Sequence, residues 1–441
     1  MTQMGESSAS ARIEQEIIED KTVERIKVRL SVFFDGTLNN RTNTDLLNIL
    51  KKEAEDDGKK LSDKELYKFA KSGSSYGSDY TNVAKMERYI EITNDKEYQK
   101  KMAIYIEGPG TDDKKRDKFF GYVFGMGRSG ISKKVKIGIV KAVDKILNNR
   151  DGDTAVIIEK LTIDVFGFSR GAAAARYFIH KSLLSDETIK VGLEEQGCQL
   201  DHVDVNFAGL YDTVSSHGIY YANDVSDLMQ HAISRAETVV QLAAADEHRE
   251  RFSLTTIHSA HNGLEIFLPG VHSDIGGSYN NGEVENQIIY DSFDYEEAKK
   301  DKQNLIEAGW FKENEIELIK LDDGEDDFDS TVQLKINRTI EHNHYSRIPL
   351  HLMAGYARES GVDVISQLDD DEDIPNELND TYGEIKKYIN TIEKSKMSDW
   401  HHNEPWLCEL RHDYLHFSAK CEMGLHPRIH DGERIRYRYD G

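Results

Sequence analysis

Leu161-Thr-Ile-Asp-Val-Phe-Gly167-Phe-Ser169-Arg-Gly171-Ala-Ala-Ala-Ala175 is the stretch on which the fold turns. Its first half is a short apolar run containing β-branched residues, which predicts a buried strand. Its second half is alanine-rich and predicts a helix. Between them lies Gly167-x-Ser169-x-Gly171. Strand, sharp turn and helix are the context in which G-x-S-x-G becomes a nucleophile elbow rather than an ordinary glycine-bounded turn. The reason is steric. A serine on such a turn projects its hydroxyl clear of the sheet. Gly167 and Gly171 lack the Cβ atoms that would collide where strand and helix converge.

Upstream, the apolar strand Val28 to Phe34 runs into Phe34-Asp35-Gly36-Thr37. Some phosphatases carry D-x-D-G-T at such a place, but their nucleophile would fall on Phe33. The better reading is a loop at the carboxyl end of a strand, where open α/β sheets bind ligands. Thr81 to Ile92 has apolar residues at helical spacing, and Met102 to Ile106 is a second strand, ending in Gly108-Pro109-Gly110-Thr111. Gly125-Met-Gly127-Arg-Ser-Gly130 is a literal G-x-G-x-x-G. No clean strand precedes it and no acidic residue closes a second strand after it, so it reads as a glycine-rich entry to the helix Ile131 to Leu147 and not as a dinucleotide site. Lys51 to Gly77 is charged and reads as a surface insertion with one short helix.

Downstream, Val203 to Leu210 is a strand leading to Tyr211-Asp212-Thr213-Val214. Asp227 to Ala245 is expected to be helical. A further strand, Leu264 to Leu268, ends in Pro269-Gly270-Val271-His272-Ser273-Asp274-Ile275-Gly276-Gly277. Of the 17 histidines, His272 alone follows both Ser169 and Asp212 in a strand-end, glycine-rich loop, where mobility and exposure suit a base. Ser, Asp, His is the chain order of the α/β-hydrolases. The expected roles are Ser169 as nucleophile, His272 as base and then acid, and Asp212 holding the imidazole tautomer. The oxyanion hole would combine the N–H of Arg170 with one from the loop of Asp35, Gly36 and Thr37. Asp274 rivals Asp212 for the carboxylate role, but lies only two residues from His272.

Composition narrows the function. The 441 residues suit a large α/β unit with an insertion. With 80 acidic against 56 basic residues, the formal net charge is −24, which disfavours sequence-independent nucleic-acid binding. Three cysteines make no framework and are expected as free thiols. No cofactor and no metal is expected. The acidic runs Asp322 to Asp329 and Asp369 to Asp373 lack the spacing of a calcium loop and read as solvated turns. Met1 to Asp20 has no apolar stretch, so the expectation is synthesis in the cytoplasm without a signal peptide and export, if any, by dedicated machinery.

Taken together, Phe34-Asp-Gly-Thr37, Gly167-Phe-Ser-Arg-Gly-Ala172, Tyr211-Asp-Thr-Val214, Asp246-Glu-His-Arg249, Pro269 to Gly277 and Arg411-His-Asp-Tyr-Leu-His-Phe-Ser418 resemble the α/β-hydrolase family that contains the type VI secretion phospholipase effectors. Gly108-Pro109-Gly110 departs from that family's glycine-valine-glycine. The resemblance implies a mostly parallel sheet flanked by helices, with Ser169, Asp212 and His272 as the triad. It also implies phospholipid ester hydrolysis at a membrane surface, delivery by a type VI apparatus into a target-cell periplasm, a secretion spike partner and a cognate immunity protein. A cytosolic carboxylesterase or thioesterase, or a non-catalytic interaction module, are the competing readings. The expected organisation is a flexible tail (1–24), a catalytic core (25–280), a largely helical acidic cap (281–404) and a C-terminal segment packing back on the core (405–441).

Overall fold

The structure is a computed structural model; it describes residues 23–56, 77–111, 127–148, 156–184, 188–215, 225–321, 331–391, 400, 403–430 and 432–441. The expected tail therefore lies almost wholly outside the described residues, as do Gly125, most of the 51–77 insertion and the acidic run at 322–329. In chain order the strands of the main sheet are β1 (Glu24–Phe34), β2 (Lys100–Ile106), β3 (Val156–Phe168), β4 (Gln199–Leu200), β5 (Val203–Tyr211) and β6 (Ala236–Ala244). The two-residue strand β7 (Leu254–Thr255) follows outside it, and β8 (Gly263–Leu268) closes it. The order across the sheet is β2-β1-β3-β5-β6-β8, with β4 also pairing β3, and every pairing is parallel. A parallel sheet must be covered on both faces. One face is closed by the helices Gly127–Leu147, Arg170–Leu183 and Ile189–Glu195, through Ile131, Val135, Phe178, Ile179 and Leu193. The other is closed by Asn82–Arg88 and Arg347–Glu359, through Val83, Met86, Ile348, Met353 and Ala357.

The strand order reverses between β1 and β3, because β2 lies to one side of β1 and β3 to the other. Loops leaving those two strands diverge and leave a crevice at the carboxyl edge. The Asp35 loop and the Ser169 turn both emerge there.

Two expectations need correction. Asp227 to Ala245 is not a helix: a short 3₁₀ turn, Gln230–Arg235, leads into β6, whose Val239, Val240, Leu242, Ala243 and Ala244 are all buried. A strand covered on both faces loses the alternation that would separate it from a helix. The segment 281–404 is not uniformly helical either. It carries the helices Tyr295–Glu307, Arg347–Glu359 and Asn379–Thr391, but also an antiparallel sheet of β9 (Glu283–Ser292), β10 (Ile316–Leu321) and β11 (Thr331–Ile340), in the order β10-β11-β9. Val332, Leu334, Ile336, Arg338 and Ile340 alternate inward along β11.

Arg338 pins this sheet to the rest of the molecule. Its guanidinium donates to Glu285 (2.7 Å), Trp310 O (2.6 Å) and Leu415 O (2.8 Å), and its side chain is only 2% exposed. Arg338→Met leaves the Glu285 carboxylate buried without its counter-charge. The expected loss is about 3 kcal/mol of unfolding free energy, read from urea denaturation. A midpoint equal to wild type would mean that this ion pair contributes no net stability.

Candidate active site

Ser169 stands where β3 becomes the helix Arg170–Leu183. Its backbone is left-handed, φ 59° and ψ −126°, unusual for a side chain with a Cβ. The turn is held by Ser169 N donating to Tyr211 O (3.0 Å) and by Val214 N donating to Ser169 O (3.2 Å). The glycines do what the motif requires. A Cβ on Gly167 would lie 2.5 Å from Ala172 Cα, and one on Gly171 would overlap the carbonyl oxygens of Phe34 and Asp35.

Asp212 follows β5, also with positive φ (45°), and is fully buried. Its Oδ2 receives His272 Nδ1 at 2.5 Å, and its Oδ1 accepts Ala244 N at 2.8 Å. Arg436 closes on the same carboxylate with two bonds, Nη1 to Oδ1 at 2.7 Å and Nη2 to Oδ2 at 2.8 Å. Burial alone would raise the Asp212 pKa, but the Arg436 charge and the bond from His272 outweigh it and hold the group below the usual carboxylate range. His272 shifts down from 6.5 because burial disfavours the imidazolium more than Asp212 favours it.

His272 is not on a mobile, exposed loop, as its glycine-rich surroundings suggest. It opens a one-turn helix, His272–Gly276, and is 4% exposed. The ring is gripped between Phe168 (centroids 4.6 Å apart) and Phe252 (5.0 Å). Its backbone N–H donates to Glu247 Oε2 at 3.3 Å, and Glu247 is in turn bonded by Arg249 at 2.8 Å. Asp274 does not compete for His272. It accepts Val271 N at 2.9 Å and pairs with His416 Nδ1 at 2.7 Å, tying the one-turn helix to the C-terminal segment.

Ser169, Arg170 and His272 line one pocket of about 160 Å³, together with Thr37, Leu38, Asn39, Ser78, Phe168, Arg249, Phe252, Ser273 and Ser278. The oxyanion expectation divides here. Gly36 is absent from the pocket lining, and its N–H is bonded to Asp35 Oδ1 at 2.7 Å. Thr37 does line it, next to Arg170. Asp35 supports the loop from below, accepting also the hydroxyls of Thr81 (2.7 Å) and Tyr105. Burial lifts its carboxyl to about 6 against those bonds.

A larger cavity, about 700 Å³, lies elsewhere, with Glu247, Asp301, Arg411, Arg434 and Arg436 in its wall. It reaches none of Ser169, Asp212 and His272. Among the described residues no group of three or more His, Cys, Asp or Glu could hold a metal ion, and no helix is long and apolar enough to cross a membrane. Cys198, Cys408 and Cys421 are free thiols.

Arg436, Glu247 and Phe252 were not foreseen as parts of the site. Glu247 lies in the Asp246-Glu-His-Arg249 motif, which was the available signal. Arg436 had none.

No curated protein sequence matches the chain. Among solved structures, the Tle1 effector bound to the VgrG spike of the type VI secretion system is similar over 98% of this chain and 99% of that one, with a TM-score of 0.61 and 21% identity. At that identity the likeness is one of fold. An uncharacterized protein from Pseudomonas aeruginosa aligns with 84% of this chain and 51% of its own, at 16% identity and a TM-score of 0.45. The family profile "T6SS, Phospholipase effector Tle1-like, catalytic domain" matches residues 180–295, a span that includes Asp212 and His272 and begins after Ser169. Over residues 180–295, then, the chain is similar to the Tle1-like catalytic domain of the type VI secretion phospholipase effectors.

Proposed function

We propose that the protein is a serine esterase that hydrolyses acyl ester bonds of glycerophospholipids, a phospholipase A, delivered to rival cells by a type VI apparatus. One observation carries the reading: His272, bonded to the buried Asp212, lines the same pocket as a serine held on a left-handed strand-to-helix turn. In this mechanism Ser169 Oγ attacks the ester carbonyl while His272 Nε2 takes its proton. The N–H groups of Arg170 and Thr37 hold the oxyanion. His272 then protonates the departing lysolipid oxygen, and water repeats the sequence in reverse to release the fatty acid. Asp212 stays ionised throughout. Support for a secretion spike as partner is the fold shared with Tle1, which is bound to VgrG in its own structure. A periplasmic target and an immunity protein complete the proposal.

The test is release of fatty acid and lysophospholipid from phospholipid vesicles by the purified chain and by its Ser169→Ala variant. Equal release by both would end the reading. The small pocket, about 160 Å³, favours one competitor, an esterase for short soluble acyl esters. Turnover of those esters with no release from vesicles would select it.

A pH profile follows from the buried imidazole. The base must be neutral, and its neutral form is favoured, so kcat/KM is expected to rise with pH through a midpoint below the ordinary histidine value of 6.5. A midpoint above 6.5 would mean that Asp212 governs the ring more than burial does.

A further inference from the structure

We propose that Arg436 is a positioning residue of this hydrolytic centre, and that docking of the C-terminal strand completes the site by clamping Asp212 in line with His272. The inference rests on the serine-hydrolase reading. Asp212 follows β5, whereas Arg436 is 224 residues further along the chain. The guanidinium spends four of its five N–H donors on the site: two bonds to the Asp212 carboxylate, Nη1 to Ala244 O (3.1 Å) and Nε to Phe252 O (2.7 Å). Ala244 ends β6 and also donates its N–H to Asp212, and Phe252 is one of the two rings that hold His272. One planar fork thus fixes the carboxylate, the strand end behind it and the aromatic beside the imidazole. Such a fork needs arginine, since an ammonium cannot bind bidentately and reach two carbonyls.

The backbone delivers it accurately. The C-terminal strand Arg438–Tyr439 pairs parallel with β7. Leu254 N donates to Tyr437 O (2.9 Å), Thr256 N to Tyr439 O (2.9 Å) and Ile435 N to Arg428 O (3.0 Å). The Arg436 side chain is 5% exposed and Asp212 is sealed, so no solvent substitutes for the clamp. Around His272 the charged groups are Asp212 after β5, Glu247 and Arg249 after β6, and Arg436, which reaches the ring only through Asp212. Asp274 is turned to His416. Removing Arg436 leaves Asp212 less neutralised, so its negative charge acts more fully on the imidazolium.

The experiment compares wild type, Arg436→Gln and Arg436→Lys by pH-resolved turnover of phospholipid or soluble ester, thermal unfolding, and imidazole ¹⁵N NMR titration of His272. For Arg436→Gln the expected result is kcat lower by about a hundredfold with KM little changed, the size of losing a charge-assisted pair. Its His272 midpoint rises by about one pH unit, and Arg436→Lys restores the midpoint but only part of kcat. An unmoved midpoint, or undiminished kcat in a folded variant, overturns the proposal. If Arg436→Gln does not fold, Arg436→Lys decides: kcat equal to wild type overturns it, and reduced kcat at an unchanged midpoint supports it. If wild type has no Ser169-dependent turnover, the function reading fails, and the NMR titration still tests the clamp.

Discussion

Ser169→Ala is expected to lower ester hydrolysis by about a million-fold in kcat, the loss a serine hydrolase suffers when its nucleophile is removed. KM should change little, since the hydroxyl contributes its interaction chiefly in the transition state. His272→Ala should cost nearly as much, and the double variant little more than either, because nucleophile and base act as one unit. Asp212→Asn should be milder in kind but still severe, about ten-thousand-fold, through the wrong imidazole tautomer. That variant carries a second penalty peculiar to this chain. Arg436 would face an amide, and a buried guanidinium would lose its counter-charge, so thermal stability should fall with activity. A fluorophosphonate probe separates chemistry from folding: wild type labels at Ser169, and the folded Ser169→Ala protein does not. Additive losses across the single and double variants would mean that Ser169 and His272 do not share a proton, and the mechanism would fail at its centre.

How much of this was legible in the chain depends on how local the signal is. Gly167, Ser169 and Gly171 announce their geometry within five residues, because the steric demand of the turn is local. Asp212 and His272 could be picked out since each terminates an apolar strand, and parallel strands bring their carboxyl ends to one edge. The structure pairs those two directly. β6 reads as a helix in the sequence because Val239 to Ala244, buried throughout, have no alternation to distinguish a strand. β11 goes unread although Val332, Leu334, Ile336 and Ile340 keep a period of two, because the acidic runs on either side dominate the composition of the region. The Asp35-Gly36-Thr37 loop offers Gly36 and Thr37 alike as oxyanion donors. Only the fold reveals that Asp35 turns back to take the Gly36 N–H. Arg436 lies beyond sequence reasoning altogether. Its partner is set by the pairing of the C-terminal strand Arg438–Tyr439 with β7, a contact between remote segments with no motif to mark it.

Gly171→Ala tests the steric claim on which the elbow rests. The added methyl would sit inside the carbonyl oxygens of both Phe34 and Asp35. Those are main-chain atoms of β1 and the loop after it, and Asp35 is anchored by the Thr81 and Tyr105 hydroxyls. Neither carbonyl can swing aside as a side chain would. The helix Arg170–Leu183 must therefore lift away from the sheet, opening the packing of Ala172 to Ala175, all fully buried. The expected cost is above about 4 kcal/mol, in the range reserved for core disruption. Any folded fraction should lose about a hundredfold or more in kcat, because the lift also carries Arg170 N–H away from the Thr37 loop. Gly383 supplies the contrast. It lies within the helix Asn379–Thr391, and a Cβ there meets nothing within 4 Å. Gly383→Ala should raise stability by about 0.5–1 kcal/mol through helix propensity alone. Thermal unfolding of both variants reads the difference. Were Gly171→Ala to melt within a degree or two of wild type, close approach of helix and strand would not be what holds Ser169 in its left-handed turn, and the strain would have to be borne by the hydrogen bonds at Tyr211 and Val214.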